Sequence, residues 1–155
     1  MGSRTRAAAL TCACMVLSLI ATAAETKISK SDLPAAVQKT AEEQSKGASV
    51  RGYSKDKEDG KLEYEVQMTS DGHSKDVTIA PDGQLMEIEE EVALESLPTA
   101  ARSGLQAKAG KGQITKVESL TKHGALVAYE AQVQTAKKHS EIQVGPNGET
   151  LAHEE

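Results

Sequence analysis

The side chains in this chain best suited to chemistry are four histidines, His73, His123, His139 and His153, and a run of carboxylates at Glu87, Glu89, Glu90 and Glu91. Imidazole serves as a base near neutral pH or as a metal ligand. Zinc sites built from it come in short pairs such as His-x-x-x-His or Cys-x-x-Cys, and neither spacing occurs. His73-Ser74 and His139-Ser140 lie 66 residues apart in polar, loop-like contexts, and they read as surface at hairpin tips. Nucleophilic catalysis needs a Ser, Thr or Cys with a base and an orienting acid. No Gly-x-Ser-x-Gly turn is present, and both cysteines, Cys12 and Cys14, sit in an apolar N-terminal stretch. The sequence therefore assigns no catalytic residue, no metal ligand set and no cofactor, and a non-enzymatic protein is expected.

The carboxylates are more informative. On a strand, Glu87, Glu89 and Glu91 project from one face, opposite Met86, Ile88 and Glu90. Three aligned carboxylates attract a cation or a basic segment, and they also serve as solvating charges on an exposed strand. No Asp-x-Asp-x-Asp-Gly loop accompanies them, so a dedicated calcium site is not expected. A second polar set, Glu65 and Gln67, recurs as Glu130 and Gln132, each on the strand face away from a tyrosine. These four are the expected binding surface of an open sheet face, with Glu87, Glu89 and Glu91 as an acidic patch.

Strands must present these residues, and the alternation says which. Leu62, Tyr64, Val66 and Met68 alternate with charged and polar residues, and Val127, Tyr129, Ala131 and Val133 repeat that face. Residues 50–54 read as a short, weak strand and residues 114–120 as its better counterpart. Val77 and Ile79 mark another strand, Met86 and Ile88 a last one in the first half, and Leu151 its equivalent in the second. Pro81-Asp82-Gly83 and Pro146-Asn147-Gly148 are turns, because proline presets φ and glycine accepts positive φ. Leu33, Val37 and Ala41 form one helical stripe after Ser31 or Asp32 as cap, with Pro34 in the first turn. Ser96, Pro98, Ala101 and Leu105 repeat the arrangement. Gly47 in one half and Gly110 with Gly112 in the other stop the helices.

The halves are copies. Leu33-Pro34 recurs as Leu97-Pro98 and Gly60 as Gly124 at a spacing of 64. After one inserted residue the spacing is 65: Tyr64-Glu65-Val66-Gln67-Met68 matches Tyr129-Glu130-Ala131-Gln132-Val133. The expected fold class is α+β, as two tandem repeats over residues 25–92 and 93–155. Each repeat is a helix followed by a three- or four-stranded antiparallel meander. The meanders join into one larger sheet with the helices on one face, or stand as two beads.

Residues 1–24 read as a secretory leader. Arg4 and Arg6 precede an uncharged Ala-, Leu- and Val-rich stretch, and Ala21-Thr22-Ala23 suits cleavage after Ala23 or Ala24. Cleavage leaves no thiol, no stable membrane insertion and a periplasmic or secreted protein. Two of the 18 Lys and Arg leave with the leader, so 16 face 23 Asp and Glu, a net charge of −7. That balance excludes a nucleic-acid footprint. Phe and Trp are absent, so the core is aliphatic.

A Leu-Pro helix start, a Tyr-Glu-x-x-hydrophobic strand and an acidic-hydrophobic-x-hydrophobic strand running into a Gly turn together resemble the PepSY module. Leu33-Pro34, Tyr64-Glu65-Val66 and Asp76-Val77-Thr78-Ile79-Ala80-Pro81-Asp82-Gly83 carry the resemblance in the first copy. Leu97-Pro98, Tyr129-Glu130-Ala131 and Glu141-Ile142-Gln143-Val144-Gly145-Pro146-Asn147-Gly148 carry it in the second. Tandem copies are similar to the beta-lactamase-inhibitor-like, PepSY-like exported proteins. The resemblance implies an envelope or secreted location. It also implies a binding or regulatory role that restrains another exported protein, peptidases among the candidates. Lacking Phe and Trp, the chain has no aromatic anchor of the kind inhibitory faces use. A weak or transient protein partner is the expectation, with a cation or small ligand on the acidic surface as the alternative.

Overall fold

The computed structural model describes residues 25–58, 60–153 and 155; the expected leader lies outside them. Eight strands form one antiparallel sheet in strict chain order: β1 (Thr26–Ile28), β2 (Ser49–Glu58), β3 (Lys61–Ser70), β4 (His73–Ile79), β5 (Leu85–Glu91), β6 (Gln113–Lys122), β7 (Ala125–Gln134) and β8 (His139–Val144). Helix α1 (Ala35–Gln44) connects β1 to β2, and α2 (Thr99–Ala109) connects β5 to β6. The architecture is the expected α+β pair of helix-plus-meander repeats, joined through β5 and β6 into one sheet.

The apolar stripes close over the sheet as their spacing dictates. Leu33, Val37 and Ala41 pack with Tyr64, Val66, Met68, Val77 and Ile79 in a first core. Leu97, Ala101 and Leu105 pack with Val117, Ala131 and Val144 in a second. Both helices lie on the same side, because Ile88 of the first core faces Thr121, and Val117 shares Thr121's face of β6. Each fully buried Leu or Val contributes about 1.5–3 kcal/mol. Helices this short hold their shape by that packing.

The one-residue insertion between the copies has a structural form. Leu120 pairs with Ala128 and Thr121 with Leu126, so Val127 is extruded in a β-bulge. Arg51 and Thr115, 64 residues apart, are extra residues in matching bulges of β2 and β6. Both reach back to the partner strand: Arg51 Nε donates to the Met68 carbonyl at 3.0 Å and Thr115 Oγ1 to the Gln132 carbonyl at 3.2 Å.

Several local expectations give way. The weak strand at residues 50–54 is ten residues long in β2, since pairing with β3 runs out to Glu58 opposite Lys61. No strand forms at Leu151; the chain there leaves the sheet, so the second copy's meander has three strands. Ser31, Asp32 and Ser96 do not cap the helices. They lie in 3-10 turns (Lys30–Asp32 and Leu94–Ser96), and Pro34 and Pro98 occupy the N-cap positions. Asp32 instead accepts from the Ser29 backbone N–H at 2.9 Å and from Ser29 Oγ at 2.6 Å. Among the described residues no helix is long and apolar enough to cross a membrane.

Candidate binding face

Cross-strand register decides which polar residues meet, because residues directly opposite in an antiparallel pair share a face. On the side away from the helices, one row runs Ser54, Glu65, Thr78, Glu87, Lys122. The next runs Gly52, Gln67, Asp76, Glu89, Leu120, Ala128. A third includes Glu91, Glu118, Glu130 and Gln143, and a fourth Lys116, Gln132 and Glu141. The two polar sets read from the sequence, Glu65, Gln67, Glu130 and Gln132 and then Glu87, Glu89 and Glu91, therefore occupy a single face.

That face is less open than alternation alone predicts. All seven residues are half-buried, and Leu120, Ala128, Glu118 and Gln143 are buried outright. The C-terminal stretch contributes at one end: the Glu155 backbone N–H donates to Gln143 Oε1 at 2.8 Å, and Gln143 Nε2 donates back to the Glu155 carbonyl at 3.4 Å.

Most of the carboxylates are held by neighbours. Glu65 accepts from Gln67 Nε2 at 3.1 Å and from Ser54 Oγ at 3.3 Å. Glu130 accepts from Gln143 Nε2 at 2.7 Å. Glu91 accepts from both the backbone N–H and the Oγ of Ser74, at 3.0 and 3.1 Å. Those bonds hold its carboxyl below the usual range. Among the described residues three salt bridges lie on the face, Arg51–Asp76 at 2.9 Å, Lys116–Glu118 at 2.7 Å and Lys122–Glu87 at 3.4 Å.

Glu89, near the centre, has no salt bridge among the described residues. Burial, then the charges of Glu87, Glu118 and Glu130 and a hydrogen bond with Glu87, push its carboxyl up to about 8. Burial also raises Glu65, against the lowering effect of Gln67. Glu89 thus holds its proton to a higher pH than an ordinary carboxyl.

The sequence reading missed Glu118, Asp76 and Gln143, which complete the face. Their signal was present but indirect: Glu118 alternates with Val117, and Asp76 is the copy-one equivalent of Glu141. His73 and His139 each open their strand, opposite Ser70 and Gln134. His73 Nδ1 lies 3.8 Å from Glu91. Among the described residues no three His, Cys, Asp or Glu side chains are grouped to hold a metal ion.

Solved Bacteroides proteins share the fold. A Bacteroides eggerthii protein described as periplasmic shares it at a TM-score of 0.63 and 19% identity, over 77% of this chain and 86% of that one. A BLIP-like protein from Bacteroides fragilis matches at 0.58 and 15%, over 77% and 83%. A DUF2874 family protein from Bacteroides ovatus matches at 0.60 and 18%, over 77% and 84%. At these identities the likeness is one of fold. No family profile matches the chain, and no curated protein matches it significantly.

Proposed function

We propose that this chain is an exported, non-enzymatic binding module of PepSY-like type that holds another exported protein, by a basic segment, against the helix-free face of its sheet. The observation that carries this reading is the convergence of Glu65, Glu87, Glu91, Glu118 and Glu130 on that face, with Arg51, Lys116 and Lys122 as the cations paired there. A field of one sign speeds and orients association with a partner of the other sign. The absence of Phe and Trp favours a weak, salt-sensitive contact over a tight inhibitory one. A peptidase is one candidate partner, by resemblance alone.

The test is cross-linking in the native envelope, followed by the same experiment with Glu65→Lys and Glu130→Lys combined. One defined protein should be trapped by the wild type and lost in the double variant. Unchanged trapping would move the site off this face. A tight, stoichiometric heat on titration with divalent cations would favour cation capture instead.

A further inference from the structure

The sequence has a single asparagine, Asn147, and a glycine follows it. That pair carries a reaction of its own. The Gly148 backbone nitrogen gives up its proton and attacks Asn147 Cγ. A C–N bond forms, the side-chain nitrogen leaves as ammonia, and a succinimide ring closes. Water then opens the ring at one carbonyl to leave aspartate, or at the other to leave isoaspartate, in which the chain runs through the side-chain carbon. Glycine after the asparagine favours closure, because no Cβ crowds the attacking nitrogen.

The fold holds that nitrogen back. In the turn after β8, Gly148 N–H donates to the Gly145 carbonyl at 2.8 Å and Asn147 N–H to Glu149 Oε2 at 2.9 Å. Helix α2 lies against the turn. A Cβ on Gly104 would stand 2.6 Å from the Gly148 carbonyl oxygen, and one on Gly148 would overlap the Ala100 carbonyl. Asn147 itself is exposed, so the restraint falls on the nucleophile and not on the amide. The first copy does without this chemistry. Its turn carries Asp82-Gly83, with no amide to lose, and Thr40 stands where Gly104 stands. Thr40 Oγ1 donates to the Gly83 carbonyl at 2.7 Å. The second turn has no such hydroxyl and is kept in place by close packing.

We propose that Asn147 is a deamidation site gated by the docking of its turn on α2. Undocking frees the Gly148 N–H, and chemistry this slow follows the equilibrium population of the opened turn. The two products then differ in fate. Aspartate reproduces the first copy's turn, where Asp82 Oδ1 accepts from the Gln84 N–H at 2.9 Å. Isoaspartate lengthens the backbone by one atom just before Gly148, so the glycine no longer fits against the Ala100 carbonyl and the turn stays off the helix.

The full chain is incubated at mildly alkaline pH beside a synthetic peptide of residues 144–151. The readout is the mass gain that marks an amide turned into a carboxyl, mapped to position 147 by fragmentation. Conversion in the chain should be about tenfold slower than in the peptide, or slower still. Gly104→Ala favours the helix but pushes on the turn, and it should raise the rate toward the peptide's. Equal rates in wild-type chain and peptide would overturn the gate. So would a folded Gly104→Ala chain that reacts as slowly as the wild type. Should that variant not fold, the wild type in graded sub-denaturing urea decides. Conversion and hydrogen exchange at the Gly148 amide, which need the same N–H released, should rise in parallel, and divergence overturns the proposal. The isoaspartate form should melt below Asn147→Asp, and equal melting would overturn the difference in fate.

Discussion

Glu118 on β6 and Glu130 on β7 stand directly opposite each other on the helix-free face, and each is held by a different donor. Lys116 Nζ lies 2.7 Å from Glu118, and Gln143 Nε2 donates to Glu130 at 2.7 Å. Like charges opposite one another destabilise a sheet. Here the two carboxylates are tied down individually, and Glu89, whose proton is held chiefly through burial and then the charge of Glu87, also feels both.

Replacing Glu89 with Gln should therefore flatten the pH dependence of stability. The ordinary carboxyl value is 4.5 and the folded one about 8, so between them the native state holds a proton that the unfolded chain releases. Stability is full below about pH 4.5 and falls as the pH climbs through 8. Glu89→Gln keeps a neutral, isosteric group at all pH values. Its melting temperature should equal the wild type's near pH 4 and exceed it by several degrees at pH 9. Parallel melting curves for the two proteins across that range would remove Glu89 as the source.

Lys116 is the cation that makes the Glu118–Glu130 juxtaposition tolerable. Glu118 is 6% exposed, so removing Lys116 leaves a charge that water cannot fully solvate. Lys116→Met should cost about 2 kcal/mol at pH 7, less than a fully enclosed pair because the lysine is partly solvated. Adding Glu118→Gln should recover most of the loss. Urea denaturation of the two single variants and the double variant measures the coupling.

The turn glycines are fixed by packing as well as by φ. Gly83 and Gly148 have φ of +90° and +81°. A Cβ on Gly83 would sit 2.8 Å from the Ala36 carbonyl of α1, and one on Gly148 would overlap the Ala100 carbonyl of α2, the equivalent position 64 residues on. Thr40 Oγ1 also donates to the Gly83 carbonyl at 2.7 Å, tying the first turn to its helix. Gly83→Ala and Gly148→Ala should each destabilise by about 2 kcal/mol or more, since strained φ and overlap add. Denaturant midpoints check this. An alanine at Gly124, where φ is +80° and a Cβ meets nothing, should cost about 1 kcal/mol.

How much of this could be read from residue order alone depended on range. Helical stripes such as Leu33, Val37 and Ala41 and the alternation around Tyr64 are local patterns, and the structure keeps them. The 64-to-65 change of spacing was visible, but its form, an extruded Val127, required the β6–β7 register. The extension of β2 to Glu58 was hidden because Lys55, Asp56, Lys57 and Glu58 carry no apolar signal and are strand only by pairing with β3. Two polar sets were recognisable separately. Their union on one face was not, because it follows from hydrogen-bond register between β4, β5 and β6, which no single segment encodes.

The repeat bounds expected from the sequence, residues 25–92 and 93–155, lead to the last prediction. β5 is hydrogen-bonded to β4 on one side and to β6 on the other, so the two helix-plus-meander units share a strand's worth of backbone pairing. Its Ile88 packs on the first core, and Val92 and Leu94, just beyond it, pack on the second. Neither unit, at about 60 residues and without disulfides, buries enough surface to be secure alone. We therefore expect one cooperative unfolding transition. Met68→Ala in the first core and Leu105→Ala in the second, both fully buried positions, should each cost about 2–5 kcal/mol and shift that single transition as a whole. Calorimetry and hydrogen exchange on the two variants test it. If Leu105→Ala melted α2 and β6–β8 while leaving exchange in β2–β4 at wild-type rates, the units would be independent and the shared strand a tether only.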